Sequence, residues 1–168
     1  MNDCIQLQPA QPEDAAAILE VHCAAVHQTA APFYPAYVIN SWARLPIEND
    51  RVERVKQKWI ENSDRRTIVA KHSNQVVGYG CVDTTGEIQG LYVHPDYGRQ
   101  GIGAGILAVL EQIAISFTLP SLQVDAALNA EAFYCKQGFD VTEYSTHRLA
   151  SGQEMACAKM QKILKLRN

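Results

Sequence analysis

No apolar run in this sequence approaches the ~18 residues that a membrane-spanning helix requires, so no bilayer partner is expected. The opening residues MNDCIQLQPAQPEDAAAIL have no basic segment leading into an apolar core, which argues against a secretory signal. Lys and Arg form no cluster, and 15 of them face 18 acidic residues for a net charge of −3. Nucleic acid is therefore not an expected partner. The cysteines number five, an odd count, at irregular spacing and with no CxxC pair. That removes support for a zinc or dithiol site and points to free thiols in a reducing compartment. The expected location is the cytoplasm, with no metal. Repeats, low-complexity tracts and linkers are also missing. What is left is 168 residues at 47% apolar, the size of one folded domain spanning 1–168.

The patterning alternates between two periods. Residues 4–9 alternate weakly as a first strand. QPED offers a helix start, and Ala15, Ile18, Leu19, His22, Ala25 and Val26 then recur at helical spacing. Pro32 and Pro35 make TAAPFYPAY a loop, followed by helices over about 37–44 and 50–61. RTIVAKH, VVGYGCVD and EIQGLYVH are strands joined by the short turns SNQ and TTG, an antiparallel meander. A strong helix runs from Gly103 to about Phe117. LQVDA, a short helix in NAEAFYCKQ, FDVTEYSTH and QEMACAKMQKIL complete the chain. The expected class is α/β (α+β): a mixed, mostly antiparallel sheet of about 6–7 strands flanked by about four helices.

LYVHPDYGRQGIGAGIL, residues 91–107, concentrates Gly98, Gly101, Gly103 and Gly105 at the mouth of a helix. A helix N-terminus exposes free N–H groups and the positive end of a dipole, and glycines let an anion approach closely. A strand, this loop and a helix read together as a pyrophosphate cradle. Ala104 after Gly103 excludes a P-loop, which needs Gly-Lys-Ser/Thr. A dinucleotide fingerprint needs glycine where Ile106 stands, and Asp125 alone mimics a ribose-binding acid poorly.

The same residues resemble motif A of the GNAT-superfamily N-acetyltransferases, apolar-x-V-x-P followed by Q/R-x-x-G-x-G/A at a helix start. NAEAFYCKQGF is similar to the family's motif B, and the two occur in the family's order. The frame ending at Gly103 begins at Gly98 instead of Gln or Arg, so Arg99 or Gln100 would supply that side-chain contact. The resemblance implies acetyl-CoA as acyl donor. It assigns Leu91 and Val93 to the pantetheine arm, and Arg99, Gln100, Gly101, Gly103 and Ala104 to the pyrophosphate. Asn129 and Tyr134 would lie near the thiol. It also implies a role for the loop between the first two helices in lining the acceptor site, where Tyr34, Tyr37 and Trp42 would wall a pocket or pack as helix aromatics.

Acetyl transfer to an amine needs a neutral amine, a donor for the oxyanion and a proton for the leaving thiolate. Glu87 lies sixteen residues before Gly103, an offset at which some members of the resembled family place a general-base glutamate; it is either such a base or a solvated strand-end carboxylate. The Val93 N–H is the expected oxyanion donor. Tyr134 resembles the family's general-acid tyrosine, or packs as a core aromatic on its short helix. Phe133 is read as core and Cys135 as buried and inert. His22 and His27 are core or rim residues or line the acceptor site. The expected acceptor is a small-molecule amine. A protein lysine or N-terminus, or a non-catalytic CoA-binding module, are the rivals. The closing strands, Phe139–His147 and Glu154–Leu164, offer edges for a homodimer.

Overall fold

The computed structural model describes residues 4–165. In chain order its elements are β1 (Gln6–Pro9), α1 (Ala15–Ala25), α2 (Ala36–Trp42), α3 (Asn49–Val55), β2 (Arg65–His72), β3 (Gln75–Asp83) and β4 (Glu87–Val93). There follow α4 (Ile102–Ser116), β5 (Ser121–Ala127), α5 (Glu131–Lys136), β6 (Asp140–Arg148) and β7 (Glu154–Ile163). The expected elements recur in the expected order. Two helices end differently from their periodicity. α1 runs into a π-helical turn, Val26–Ala30, and α3 into another, Lys56–Ile60. Among the described residues no helix is long and apolar enough to cross a membrane.

One seven-stranded sheet has the order β1-β2-β3-β4-β5-β7-β6. Every neighbouring pair is antiparallel except β4 and β5. β3 is an interior strand and its residues from Val76 to Val82 are all buried, so it reads as a near-continuous apolar run. On one face lies α4, which buries Ile102, Ile106, Leu107, Leu110 and Ala114, one broad stripe at helical spacing. It sits close because β3 offers Gly80 beneath it; a Cβ there would stand 2.6 Å from Cγ2 of Ile106. α1 covers the other face, packing Ile18 and Val21 on Val69, Val76 and Tyr79. A buried ion pair, Lys71 Nζ to Asp14 Oδ1 at 2.8 Å, ties the turn before α1 to β2.

A β-bulge changes which face β4 presents. Cys81 pairs with Gly90 but Val82 pairs with Ile88, leaving Gln89 over. Ile88 therefore packs under α4, while Tyr92 joins the aromatic cluster on the opposite face. Simple alternation along EIQGLYV does not reveal that switch.

Candidate active site

β4 and β5 pair only at Glu87 with Gln123 and Ile88 with Val124, then part. On its other edge β4 stays bonded to β3. The His94 N–H donates to the Val77 carbonyl at 2.8 Å, and Val93 stands opposite Gly78. Bonded and non-bonded pairs alternate along an antiparallel ladder. Val93 and Leu91 thus turn their N–H and C=O groups away from β3 and into the gap. An extended amide chain laid there would replace the missing strand pairing.

The gap opens onto the mouth of α4. A tight turn, Pro95–Tyr97, is capped by His94, whose Nδ1 accepts from the Asp96 N–H. Arg99 (φ 59°) and Gly101 (φ 78°) then take left-handed conformations, and Gly101 is the N-cap of α4. Left-handed residues of this kind turn successive N–H groups toward one concavity. The first intrahelical bond runs from the Gly105 N–H to the Gly101 carbonyl, so the N–H groups of Ile102, Gly103 and Ala104 remain for a ligand. No atom lies within 4 Å of a Cβ built at Gly101, so the concavity is open. Arg99 and Gln100 are exposed at its rim. Gly98 makes the exit from the turn in place of the family's Gln or Arg.

On the far side of the gap, Asn129 Oδ1 is enclosed and without a hydrogen-bond partner among the described residues. A buried amide oxygen left unpaired calls for a donor. The open strand edge, the anion-accepting helix mouth and this lone acceptor fit a coenzyme A thioester, with its amide N–H groups and pyrophosphate. Tyr134 on α5 is only 4% exposed, its ring edge-on to Phe133 and Phe139. Burial, then the nearby Tyr92 hydroxyl, holds its phenol far above the ordinary tyrosine range, so it keeps its proton. Phe133 packs partly buried beside Gly103. Cys135, expected inside, is exposed. α5 is under two turns long and turns Tyr134 inward, which leaves the next residue facing out.

Glu87 is half-buried at the start of β4. Burial, then the carboxylates of Asp125 and Asp83, push its carboxyl above the usual range against the pull of Lys159 and His147. Both neighbouring acids are held ionised. Burial pushes Asp83 up, but hydrogen bonds from Thr85, the Glu87 N–H and Gln89 outweigh it. Asp125 is likewise lowered on balance, because His147 and Lys159 donate to it. No motif points to His147 or Lys159. Their signal is the period-two pattern of β5 and β7, which puts Asp125 and Lys159 opposite each other on one face.

Between the first two helices the aromatics divide. Trp42 meets His22, Tyr34 and Tyr92 edge-on at ring distances of 6.2, 5.8 and 6.2 Å. Tyr34 is buried and its hydroxyl is fully used: it donates to the Ala156 carbonyl at 2.6 Å and accepts from the Leu128 N–H at 2.8 Å. It is a tie from the α1–α2 segment to β7 and the end of β5. Tyr37 points outward, 64% exposed, and does not join the cluster. The two histidines hold the end of α2. His22 Nε2 lies 3.3 Å from the Trp42 carbonyl and His27 Nε2 lies 2.7 Å from the Ala43 carbonyl. The π-helical turn brings residues 22 and 27 to one side. Burial lowers the His22 pKa to about 4, so it stays neutral near pH 7. Among the described residues, no group of three or more His, Cys, Asp or Glu could hold a metal ion.

The family model "Acetyltransferase (GNAT) domain" matches residues 46–162. A search of curated proteins finds no match. Solved structures with the same architecture include a GCN5-related N-acetyltransferase from Rhodopseudomonas palustris, 28% identical over 95% of each chain with a TM-score of 0.83. The PaiA N-acetyltransferase of Thermoplasma acidophilum, in complex with coenzyme A, is 20% identical over 95% of this chain and 99% of its own, with a TM-score of 0.76. YncA of Salmonella typhimurium, with its cofactor acetyl-CoA, is 20% identical over 98% of this chain and 96% of its own, with a TM-score of 0.70. The parted strands, the glycine-capped helix mouth and the matched model over most of the chain lead to one conclusion: this protein belongs to the GNAT acetyltransferase family.

Proposed function

We propose that this chain transfers the acetyl group of acetyl-CoA to a primary amine of a small molecule, by direct attack and without an acyl-enzyme. The observation that carries the reading is the gap between β4 and β5, edged by the free backbone groups of Leu91 and Val93 and ending at the α4 mouth. Acetyl-CoA, when bound, supplies an activated thioester. Leu91 and Val93 would pair with the pantetheine amides, and the N–H groups from Gly101 to Ala104, with Arg99 and Gln100, would take the pyrophosphate. Asn129 Oδ1 would accept from an amide N–H. The Val93 N–H is aimed into the gap, where an oxyanion would form. Glu87, with its raised proton affinity, takes the proton of the incoming ammonium through water. Tyr134, held protonated by burial, would supply the proton for the departing thiolate and regain one from the acylated nitrogen as it sheds its second proton.

The test is thiol release with a panel of primary amines and with lysine and N-terminal peptides, alongside calorimetric titration with acetyl-CoA. We expect release with small amines. Glu87→Gln and Tyr134→Phe should each keep acetyl-CoA binding and lose about 100-fold or more in kcat. Release with peptides alone would move the acceptor to a protein. Binding without release by any acceptor would leave a CoA-binding module, and full turnover in both variants would refute the assigned chemistry.

A further inference from the structure

The face of the sheet that carries Glu87 also holds a charge arrangement assembled from three other strands. Glu87 stands beside Gln123 in the parallel β4–β5 pairing, and Asp125 follows two residues along β5 on the same face. That places the two carboxylates as diagonal neighbours. Asp125 is not left to move. Lys159, opposite it on β7, bonds Oδ1 at 3.0 Å, and His147 from β6 reaches past β7 to bond Oδ2 at 2.9 Å. Each Asp125 oxygen therefore has its own donor from a different strand. Two side chains that span neighbouring strands to hold one carboxylate, beside a second carboxylate with no such clamp, make an asymmetric pair. Like charges on diagonal positions of one sheet face oppose each other's ionisation, and the clamped one is the one held charged.

We propose that Asp125 is a positioning residue for Glu87: fixed by Lys159 and His147, its carboxylate makes Glu87 the member of the pair that accepts the proton. The inference rests on the reading of Glu87 as the base. The groups facing Glu87 all enter the balance. Asp83, at the end of β3, adds a second fixed negative charge, held by Thr85, Gln89 and the Glu87 N–H. Lys159 and His147 oppose both acids. Glu143 on β6 and Cys157 on β7 border Lys159 and Asp125 on the same side. The direction of burial and charge at Glu87 agrees with this arrangement. The proton taken from the ammonium is then one that Glu87 holds as a neutral acid, with Asp125 remaining ionised, and it leaves to solvent before the next cycle.

The experiment follows two readouts in the full-length protein. One is the titration of the Glu87 carboxyl by carbon-detected NMR without ligand. The other is the acid limb of the kcat/KM profile with a reactive amine. Asp125→Asn should lower the Glu87 midpoint and move the acid limb down by about one pH unit. Lys159→Met should move both up. Opposite displacements from two neighbouring substitutions are not what general structural damage yields, and unchanged acetyl-CoA affinity would verify that both variants fold. A Glu87 midpoint unmoved by Asp125→Asn overturns the inference. A midpoint that moves while the acid limb stays fixed upholds the electrostatic pairing but overturns Glu87 as the base, and with it the catalytic role of Asp125.

Discussion

Replacing Gly101 by alanine separates the fold from the cofactor site. Gly101 sits at φ 78° as the N-cap of α4. An L-residue with a Cβ pays roughly 1–2 kcal/mol to adopt that conformation. Nothing lies within 4 Å of the added carbon, so no packing clash is added to that figure. For a chain of this size the melting temperature should fall by about 2–8 °C. The carbon would instead project into open space at the mouth of α4. Acetyl-CoA affinity should drop at least about tenfold, or ~1.4 kcal/mol, in calorimetric titration. Gly101→Asn distinguishes the two effects, because asparagine tolerates the left-handed region yet still carries a Cβ. It should recover most of the stability and little of the affinity. If Gly101→Ala binds acetyl-CoA as tightly as the native protein, the α4 mouth is not the pyrophosphate cradle.

Acid should weaken the fold partly through His22, whose folded pKa of about 4 lies below its ordinary 6.5. The unfolded chain then takes up the proton first, so this contribution to stability is complete above about pH 6.5 and falls as pH drops toward 4, by about 3 kcal/mol. Denaturant melts at pH 7 and 4 should show it, and His22→Gln should flatten the decline; an equal decline in that variant would place the acid sensitivity elsewhere. Asp14→Ala leaves the part-buried Lys71 without this partner and should cost about 1–3 kcal/mol by the same melts. A cost under about 1 kcal/mol would mean that water or another group takes over the lysine.

The order of strands and helices, the glycine loop and the two motifs were legible because they are local. Hydrophobic period marks β3 and α4, and a left-handed N-cap needs the glycine that the sequence supplies at 101. Leu91, Val93, Asn129 and Tyr134 could be named from motif position alone; the structure turns the backbone groups of Leu91 and Val93 away from β3, encloses Asn129 Oδ1 and buries Tyr134. The bulge at Gln89 was not legible, since one extra residue turns Tyr92 to the opposite face without any change in composition. Nor were the roles of Tyr34 and the two histidines, whose partners lie 122 residues away in the first case and 20 and 16 in the others. The standing of Glu87 shows the same division. Its type and its place at a strand start are written in the sequence, but its proton affinity depends on burial and then on Asp125, Asp83, Lys159 and His147, which only the sheet brings together. Local sequence determines which backbone can curl or extend; electrostatics across strands depends on register and twist, and those are decided by the packed sheet as a whole.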